Sequence, residues 1–130
     1  MGRILVLDDS LLVLNATRDT LEAAGHQVTC VGEPAEFFTA LEAQKPDIAL
    51  VDVSMPTLEG DAVVWIARAH QLRACLIVLY SAKSEDELRP LVTSSGADGF
   101  ICKTADEELL RRQVAGFLTR APNSPGGAPG

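Results

Sequence analysis

Short apolar segments alternate with longer amphipathic segments along this chain, and this alternation constrains the fold more than any other feature. The short segments are rich in Val, Ile and Leu, as buried strands are, and they cover residues 3–7, 27–31, 48–52, 75–80 and 99–102. The longer segments have the apolar spacing of helices and cover residues 10–24, 34–44, 60–71, 85–95 and 105–119. Five successive β–α units predict an α/β fold, with a five-stranded parallel sheet that is doubly wound by helices on both faces.

Length and charge exclude several classes of protein. The 130 residues suffice for one domain with a single core. The formal net charge of −7 repels phosphate backbones, so we expect no direct binding to nucleic acid. No apolar run is long enough to cross a bilayer, and the N-terminus lacks the apolar region of a signal peptide. We therefore expect no membrane association and a cytoplasmic location.

Residues 1–119 are predicted to form the folded domain, followed by a tail. Residues 120–130, "RAPNSPGGAPG", are mostly Pro, Gly and small residues and are predicted to be disordered, as a tail or the stump of a linker. Pro90 lies inside the fourth helical segment, where proline removes a hydrogen bond and clashes with the preceding turn. Either that helix starts late, near Glu87, or it is kinked, and we expect the late start.

A few residues are predicted to have structural roles only. The cysteines lack the paired spacing of a metal site and are expected to be small core residues: Cys30, Cys75 and Cys102. His26 and His70 are expected at the surface. Trp65 could be partly exposed and serve a contact or could pack against a neighbouring helix, and packing is the preferred interpretation.

Polar side chains follow four of the five predicted strands. Asp8 and Asp9 follow the first strand, Asp52 ends the third, Ser81 follows the fourth and Lys103 follows the fifth. Each residue alone could serve a turn or cap a helix. In an open parallel sheet, however, ligands bind outside the carboxyl ends of the strands, so we expect these five side chains to converge.

The converging groups indicate phosphoryl-transfer chemistry. Three carboxylates at one point repel one another unless a cation lies between them, and hard oxygen ligands suit Mg²⁺. A nearby lysine can bind a phosphoryl group as a point charge, and a hydroxyl can donate a hydrogen bond to it. The residues therefore predict a magnesium-assisted site in which one carboxylate is itself the nucleophile.

The segments "LVLDDS", "ALVDVSMP", "VLYSA" and "GADGFICK" resemble the receiver domains of two-component response regulators, over residues 3 to about 119. The resemblance implies a flavodoxin-like (CheY-like) sheet with strand order 2-1-3-4-5. It implies that Asp52 is the phosphoacceptor. Asp9 would bind Mg²⁺ directly, Asp8 would bind it largely through water, and the backbone carbonyl of Ser54 would supply another ligand.

The same resemblance assigns the switch residues. Ser81 matches the hydroxyl switch residue, Lys103 the lysine that pairs with the phosphoryl group, and Phe100 the aromatic switch position, although Phe100 could equally be an ordinary core residue. The family usually has proline after the lysine, often in a cis bond, whereas Thr104 stands here. We expect Thr104 to cap the last helix, with Glu107 completing a capping box.

By this resemblance the protein is a signalling phosphoacceptor rather than an enzyme, and it assists its own phosphorylation and dephosphorylation. A histidine kinase or histidine phosphotransfer protein would supply the phosphoryl group. A downstream protein target or an output domain would sense it, with a phosphorylation-dependent dimer as a further option.

Three alternatives stay open. A phosphatase or phosphotransferase with an aspartyl nucleophile usually has a second acid two residues after the nucleophile, but Val53 and Ser54 follow Asp52. A flavodoxin-like binder of nucleotide or flavin would need a neutral or basic phosphate loop where "DDSLL" is acidic. A receiver that has lost phosphorylation is disfavoured because all five site residues are present.

The first helix predicts a docking surface. At about 100° per residue, one stripe should face the sheet: Val13, Ala16, Thr17, Thr20, Leu21 and Ala24. Leu11 and Asn15 then point to solvent, with Leu12 and Leu14 on the flanks. Leucines clustered beside the acidic site predict a docking patch, made of these four residues, for the partner that carries the phosphohistidine.

Overall fold

Five strands alternate with five helices along the chain, of which the computed structural model describes residues 2–54, 60–69 and 75–119. The strands are β1 (Arg3–Leu7), β2 (Gln27–Val31), β3 (Ile48–Val51), β4 (Leu76–Ser81) and β5 (Gly99–Cys102). The helices are α1 (Leu11–Glu22), α2 (Pro34–Gln44), α3 (Gly60–Ala69), α4 (Glu85–Ser95) and α5 (Glu107–Leu118). Every predicted element is present. The predicted tail at 120–130 lies outside the described residues, as does His70.

All neighbouring strands are parallel, and their order is β2-β1-β3-β4-β5, which confirms the predicted order. Leu7 is paired with Val51, and Val51 is paired with Leu79. This register brings the carboxyl ends of the central strands to the same edge of the sheet. Polar residues that follow those strands therefore meet at one place.

The core has two layers, one on each face of the sheet. On one face, strand residues such as Leu5 and Leu79 pack with Phe37 of α2, Val64 of α3 and Leu88 of α4. On the other face, alternate strand residues pack with α1 and α5, through contacts that include Ile4, Val78, Leu21 and Val114. Fully burying one such side chain contributes roughly 1.5–3 kcal/mol relative to leaving it exposed. The central strands are apolar throughout because both of their faces are covered.

Helix α4 begins at Glu85, so the predicted late start near Glu87 is wrong. The Ser84 hydroxyl accepts a hydrogen bond from the Glu87 backbone N–H, and the Glu87 carboxylate accepts one from the Ser84 backbone N–H. This capping box stabilises the first turn. Pro90 therefore lies inside the helix.

Helix α5 is capped by Asp106 rather than by Thr104. The Asp106 carboxylate accepts a hydrogen bond from the Leu109 N–H at 3.2 Å. The Thr104 hydroxyl instead accepts from the Asp106 N–H at 3.0 Å, which makes a turn that leads into the helix. The predicted capping box of Thr104 and Glu107 is thus wrong, because Thr104 lies two residues before the cap. The described residues contain no cis peptide bond, so Lys103–Thr104 is trans.

Helix α1 is rotated relative to its predicted orientation. Leu14 is buried in the core against β1, whereas Ala16 and Ala24 are exposed. The buried positions Leu14, Thr17 and Leu21 follow the helical spacing i, i+3, i+7. Leucine offers more apolar area to bury than alanine does, so packing selects the face that contains it. Leu14 cannot contact a partner, and the prediction that it belongs to the docking patch is wrong.

Three further expectations change or survive in part. His26 is buried, not at the surface, and its Nδ1 accepts a hydrogen bond from the Gly2 backbone N–H at 3.0 Å. Burial lowers the pKa of His26, which keeps the ring neutral and able to accept. Trp65 is 63% exposed rather than packed against a helix. Cys75 is buried, as expected, whereas Cys30 and Cys102 are partly buried.

Among the described helices, none has the length and apolar character required to span a bilayer.

Candidate functional site

The site lies at the carboxyl edge of the sheet, and backbone hydrogen bonds fix its residues there. The Asp52 N–H donates to the Leu7 carbonyl at 2.9 Å, so Asp52 extends the ladder between β3 and β1. The Lys103 N–H donates to the Ser81 carbonyl at 2.7 Å, which similarly extends the ladder between β5 and β4. The backbone of the sheet therefore holds these side chains within reach of one another.

Lys103 joins two of the carboxylates. Its Nζ lies 2.6 Å from Asp8 Oδ2 and 3.5 Å from Asp52 Oδ1. Asp8 is only 1% exposed, and its other oxygen accepts a hydrogen bond from the Ser10 N–H at 2.9 Å. A buried carboxylate needs such partners, because an unpaired charge away from water is strongly disfavoured. Lys103 thus compensates the charge of Asp8 and reaches Asp52 at the same time.

The three acids converge as the sequence predicts. One carboxylate oxygen from each of Asp8, Asp9 and Asp52 lies within 4.8 Å of the other two. Asp8 and Asp52 are buried, whereas Asp9 faces solvent. Hard oxygen donors with one open side fit Mg²⁺, which binds one or two carboxylates directly and keeps several waters. These residues could therefore hold a magnesium ion.

Ser54 lies beside the acids, and its backbone N–H donates to Asp52 Oδ1 at 3.3 Å. The role of its carbonyl as a metal ligand stays a prediction. Burial raises the pKa of Asp52, and the charge of Lys103 opposes that rise. A divalent cation beside Asp52 would further favour the ionised form, which is the form that can act as a nucleophile.

The two residues assigned as switches lie on the side of the site next to α4. Ser81 is buried at the end of β4, and its hydroxyl accepts a hydrogen bond from the Lys83 N–H at 3.1 Å. Phe100 of β5 is partly buried and packs against the core layer that contains α4. The guanidinium of Arg89 lies 6.0 Å from the centre of the Phe100 ring. Phe100 is therefore covered by α4 rather than freely exposed.

Sequence reasoning missed two residues: Tyr80, which contacts Lys103 of the site, and Thr17, which contacts Tyr80. The Nζ of Lys103 lies 5.5 Å from the centre of the Tyr80 ring. The Tyr80 hydroxyl shares a 3.1 Å hydrogen bond with the Thr17 hydroxyl. In the sequence, Tyr80 resembles any aromatic core residue of a buried strand. The sequence signal that could have found it is the alternation of side chains along a strand. Tyr80 lies on the same face of β4 as Val78, and that face packs on α1, where Thr17 lies.

Comparison with known proteins identifies the family. The family model described as "Response regulator receiver domain" matches residues 4–115. Protein PilH of Pseudomonas aeruginosa is 28% identical, over 91% of this chain and 98% of its own length. The CAI-1 autoinducer sensor kinase/phosphatase CqsS of Vibrio cholerae is 30% identical over 89% of this chain, and the transcriptional regulatory protein GltR of P. aeruginosa is 30% identical over 91%. The chain spans 17% of the length of CqsS and 49% of the length of GltR.

Solved structures share the fold. The receiver domain of a CheY-like response regulator from Methanospirillum hungatei has a TM-score of 0.81 at 25% identity, over 93% of this chain and 96% of that one. The response regulator TrrA of Thermotoga maritima has a TM-score of 0.79 at 24% identity, over 89% and 98%. The sheet order, the acidic cluster with its lysine and the family match agree, and this chain belongs to the family of response regulator receiver domains of two-component systems.

Proposed function

We propose that this receiver domain accepts a phosphoryl group on Asp52, with Mg²⁺ held by Asp8, Asp9 and Asp52. The observation that carries the proposal is the position of Lys103 Nζ, which bridges Asp8 and Asp52 beside the acidic cluster. A cation placed against the nucleophile can stabilise the charge that develops on a transferring phosphoryl group. Bound Mg²⁺ would add to that stabilisation on the phosphoryl oxygens.

Each site residue of this chain would have a separate role in the reaction. An Asp52 oxygen attacks phosphorus in line, the bond from phosphorus to the donor imidazole nitrogen breaks, and its electron pair leaves with the imidazole. Lys103 transfers one of its hydrogen bonds from Asp8 to a phosphoryl oxygen. The Ser81 hydroxyl, whose oxygen accepts from the Lys83 N–H, donates its own hydrogen to another phosphoryl oxygen. The movement of Ser81 toward the new dianion would vacate space, and Phe100 would then move inward into that space.

The phosphoryl group would come from a histidine kinase or a histidine phosphotransfer protein. This donor protein would dock on the exposed part of α1. That surface comprises Leu11, Leu12 and Asn15, because Leu14 of the predicted patch is buried. Leu11 is 70% exposed and Leu12 is 80% exposed. We propose that a downstream protein, an output domain or a second copy of the domain senses the phosphorylated state. The same site would also assist the loss of the phosphoryl group from Asp52. The protein would act in the cytoplasm.

The test is labelling with acetyl phosphate, read by intact mass. The wild-type protein is expected to gain one phosphoryl adduct with Mg²⁺ and none after chelation. Asp52→Asn is expected to gain none, whereas Asp19→Asn, which makes the same change at an exposed position of α1, should label normally. An equal adduct on Asp52→Asn, or labelling that ignores Mg²⁺, would contradict the proposal.

A further inference from the structure

Tyr80 and Thr17 form a buried polar pair between β4 and α1. Tyr80 is only 3% exposed, and Thr17 is also buried. Their hydroxyls are 3.1 Å apart and share one hydrogen bond, in which either hydroxyl can be the donor. A buried hydroxyl without a partner is costly, so this hydrogen bond fixes the direction of the Tyr80 side chain. A tyrosine is thereby anchored at its far end, and its ring has one orientation.

That anchored ring lies under the ammonium group of Lys103. The distance from Nζ to the ring centre is 5.5 Å, within the range of about 6 Å over which an aromatic face attracts a cation. Lys103 also contacts Asp8 and Asp52. The attraction is useful because lysine has a long, flexible side chain that would otherwise adopt many rotamers. The ring and the two carboxylates together restrict the ammonium to the space between the acids.

We propose that Tyr80 is a positioning residue for phosphoryl transfer: its aromatic ring holds the Lys103 ammonium at the point from which it reaches both Asp8 and Asp52. The inference rests on the proposed function. Burial raises the pKa of the Tyr80 phenol, so the ring stays neutral. Unlike a third carboxylate, a neutral ring holds the cation without repelling an incoming phosphoryl group. Lys103 can therefore exchange a hydrogen bond from Asp8 to a phosphoryl oxygen while the ring still supports it.

The first measurement is the chemical shift of the Lys103 side chain. The chain has three lysines, Lys45, Lys83 and Lys103, so a Lys103→Met spectrum assigns the Lys103 signals by their loss. Protons above an aromatic face are shifted upfield by the ring current. The Lys103 ε-protons of the wild-type protein are expected upfield of those of an unstructured lysine. A wild-type shift equal to that of an unstructured lysine overturns the proposal, even if the variants below fail to fold.

The second measurement compares two double variants that differ only in the ring. Thr17→Val/Tyr80→Phe removes the hydrogen bond but keeps an aromatic face, whereas Thr17→Val/Tyr80→Leu removes both. With acetyl phosphate and saturating Mg²⁺, the leucine variant is expected to lose the upfield shift and to label about five-fold more slowly than wild type. The phenylalanine variant is expected to keep the shift and to stay within about two-fold of the wild-type rate.

The remaining outcomes separate this inference from the proposed function. Equal slowing of both double variants would mean that the pair only stabilises the fold, and a leucine variant that labels at the wild-type rate would mean that Lys103 needs no support. Either result overturns the role of Tyr80 while Asp52 is still labelled in the wild-type protein. If the wild-type protein itself is not labelled on Asp52, the proposed function fails and this inference falls with it.

Discussion

At the scale of single residues, the site depends on how one lysine is shared. The carboxylates could be predicted from the sequence because each one follows an apolar strand, and parallel strands end at one edge. The surroundings of Lys103 could not be predicted in the same way. Its contacts with Asp8 and the Tyr80 ring depend on side-chain packing between β4, α1 and the residue after β5, which the chain order does not reveal.

Replacement of Lys103 should show that the lysine compensates the buried charge of Asp8. Lys103→Met leaves Asp8 without its cation, and in the absence of Mg²⁺ the free energy of unfolding is expected to fall by about 3 kcal/mol. Added Mg²⁺ should restore much of that loss, because it binds only the folded state and can pair with the same carboxylate. Urea unfolding with and without Mg²⁺ measures both effects. Lys45→Met is the control at an exposed position, and equal losses in the two variants would refute the role of Lys103.

At the scale of elements, the period of the apolar residues predicts which segments are helices but not their rotation or their ends. The buried face of α1 differs from the predicted one by part of a helical turn, because Leu14 faces the core whereas Ala16 and Ala24 face solvent. At α5 the choice between Thr104 and Asp106 as the cap depends on the path of the turn that precedes the helix. Such details follow from packing and local geometry that become defined only in the folded chain.

Pro90 should lower the stability of α4, which would make it easier for this helix to move when the domain switches. It lacks the N–H that would donate to the Asp86 carbonyl in a regular helix, and it lies on the exposed side. Pro90→Ala is expected to raise the free energy of unfolding by about 1–2 kcal/mol, after part of the gain is lost to the freer unfolded chain. Urea unfolding measures the gain, and slower amide exchange in α4 locates it. Ser94→Ala should change stability by less than about 0.5 kcal/mol. A less stable Pro90→Ala protein would show that the helix is adapted to proline.

The exposed leucines of α1 should affect the rate of phosphoryl transfer from the protein donor but not the rate from acetyl phosphate. Leu11→Asp is expected to slow transfer from the partner kinase or phosphotransfer protein about ten-fold, since losing an apolar anchor at an interface costs on the order of 1–2 kcal/mol. Labelling by acetyl phosphate should stay near the wild-type rate, because the side chain is 70% exposed and contributes little to the core. Trp65→Asp makes a similar change on α3, which packs on the opposite face of the sheet. Equal slowing with both donors would make Leu11 a folding residue, and no slowing with either would place the docking surface elsewhere.

At the scale of the whole molecule, the sheet separates two surfaces that meet at the proposed phosphorylation site. Helices α1 and α5 pack on one face, and α2, α3 and α4 pack on the other. The edge strand β5 carries Phe100, and α4 covers that ring through Arg89. A partner that docks on α1 therefore leaves α4 and β5 uncovered. Under the proposed function, input and output would use different parts of one small domain, because Asp52, Ser81 and Lys103 lie between them.

A phosphoryl mimic on Asp52 should accordingly change the surface formed by α4, β5 and α5. Beryllofluoride bound to the Asp52 carboxylate draws Ser81 and Lys103 toward its fluorines, and the residues that follow them lead directly into α4 and α5. Hydrogen exchange is expected to change in these three elements and to remain constant in α2, which packs beside β1 and β2, whereas Ser81 and Phe100 lie on β4 and β5. Asp52→Asn with beryllofluoride should show no change anywhere. If only the residues next to Asp52 respond, the phosphoryl group does not reach the output surface, and the domain would then act as a phosphate sink rather than as a switch.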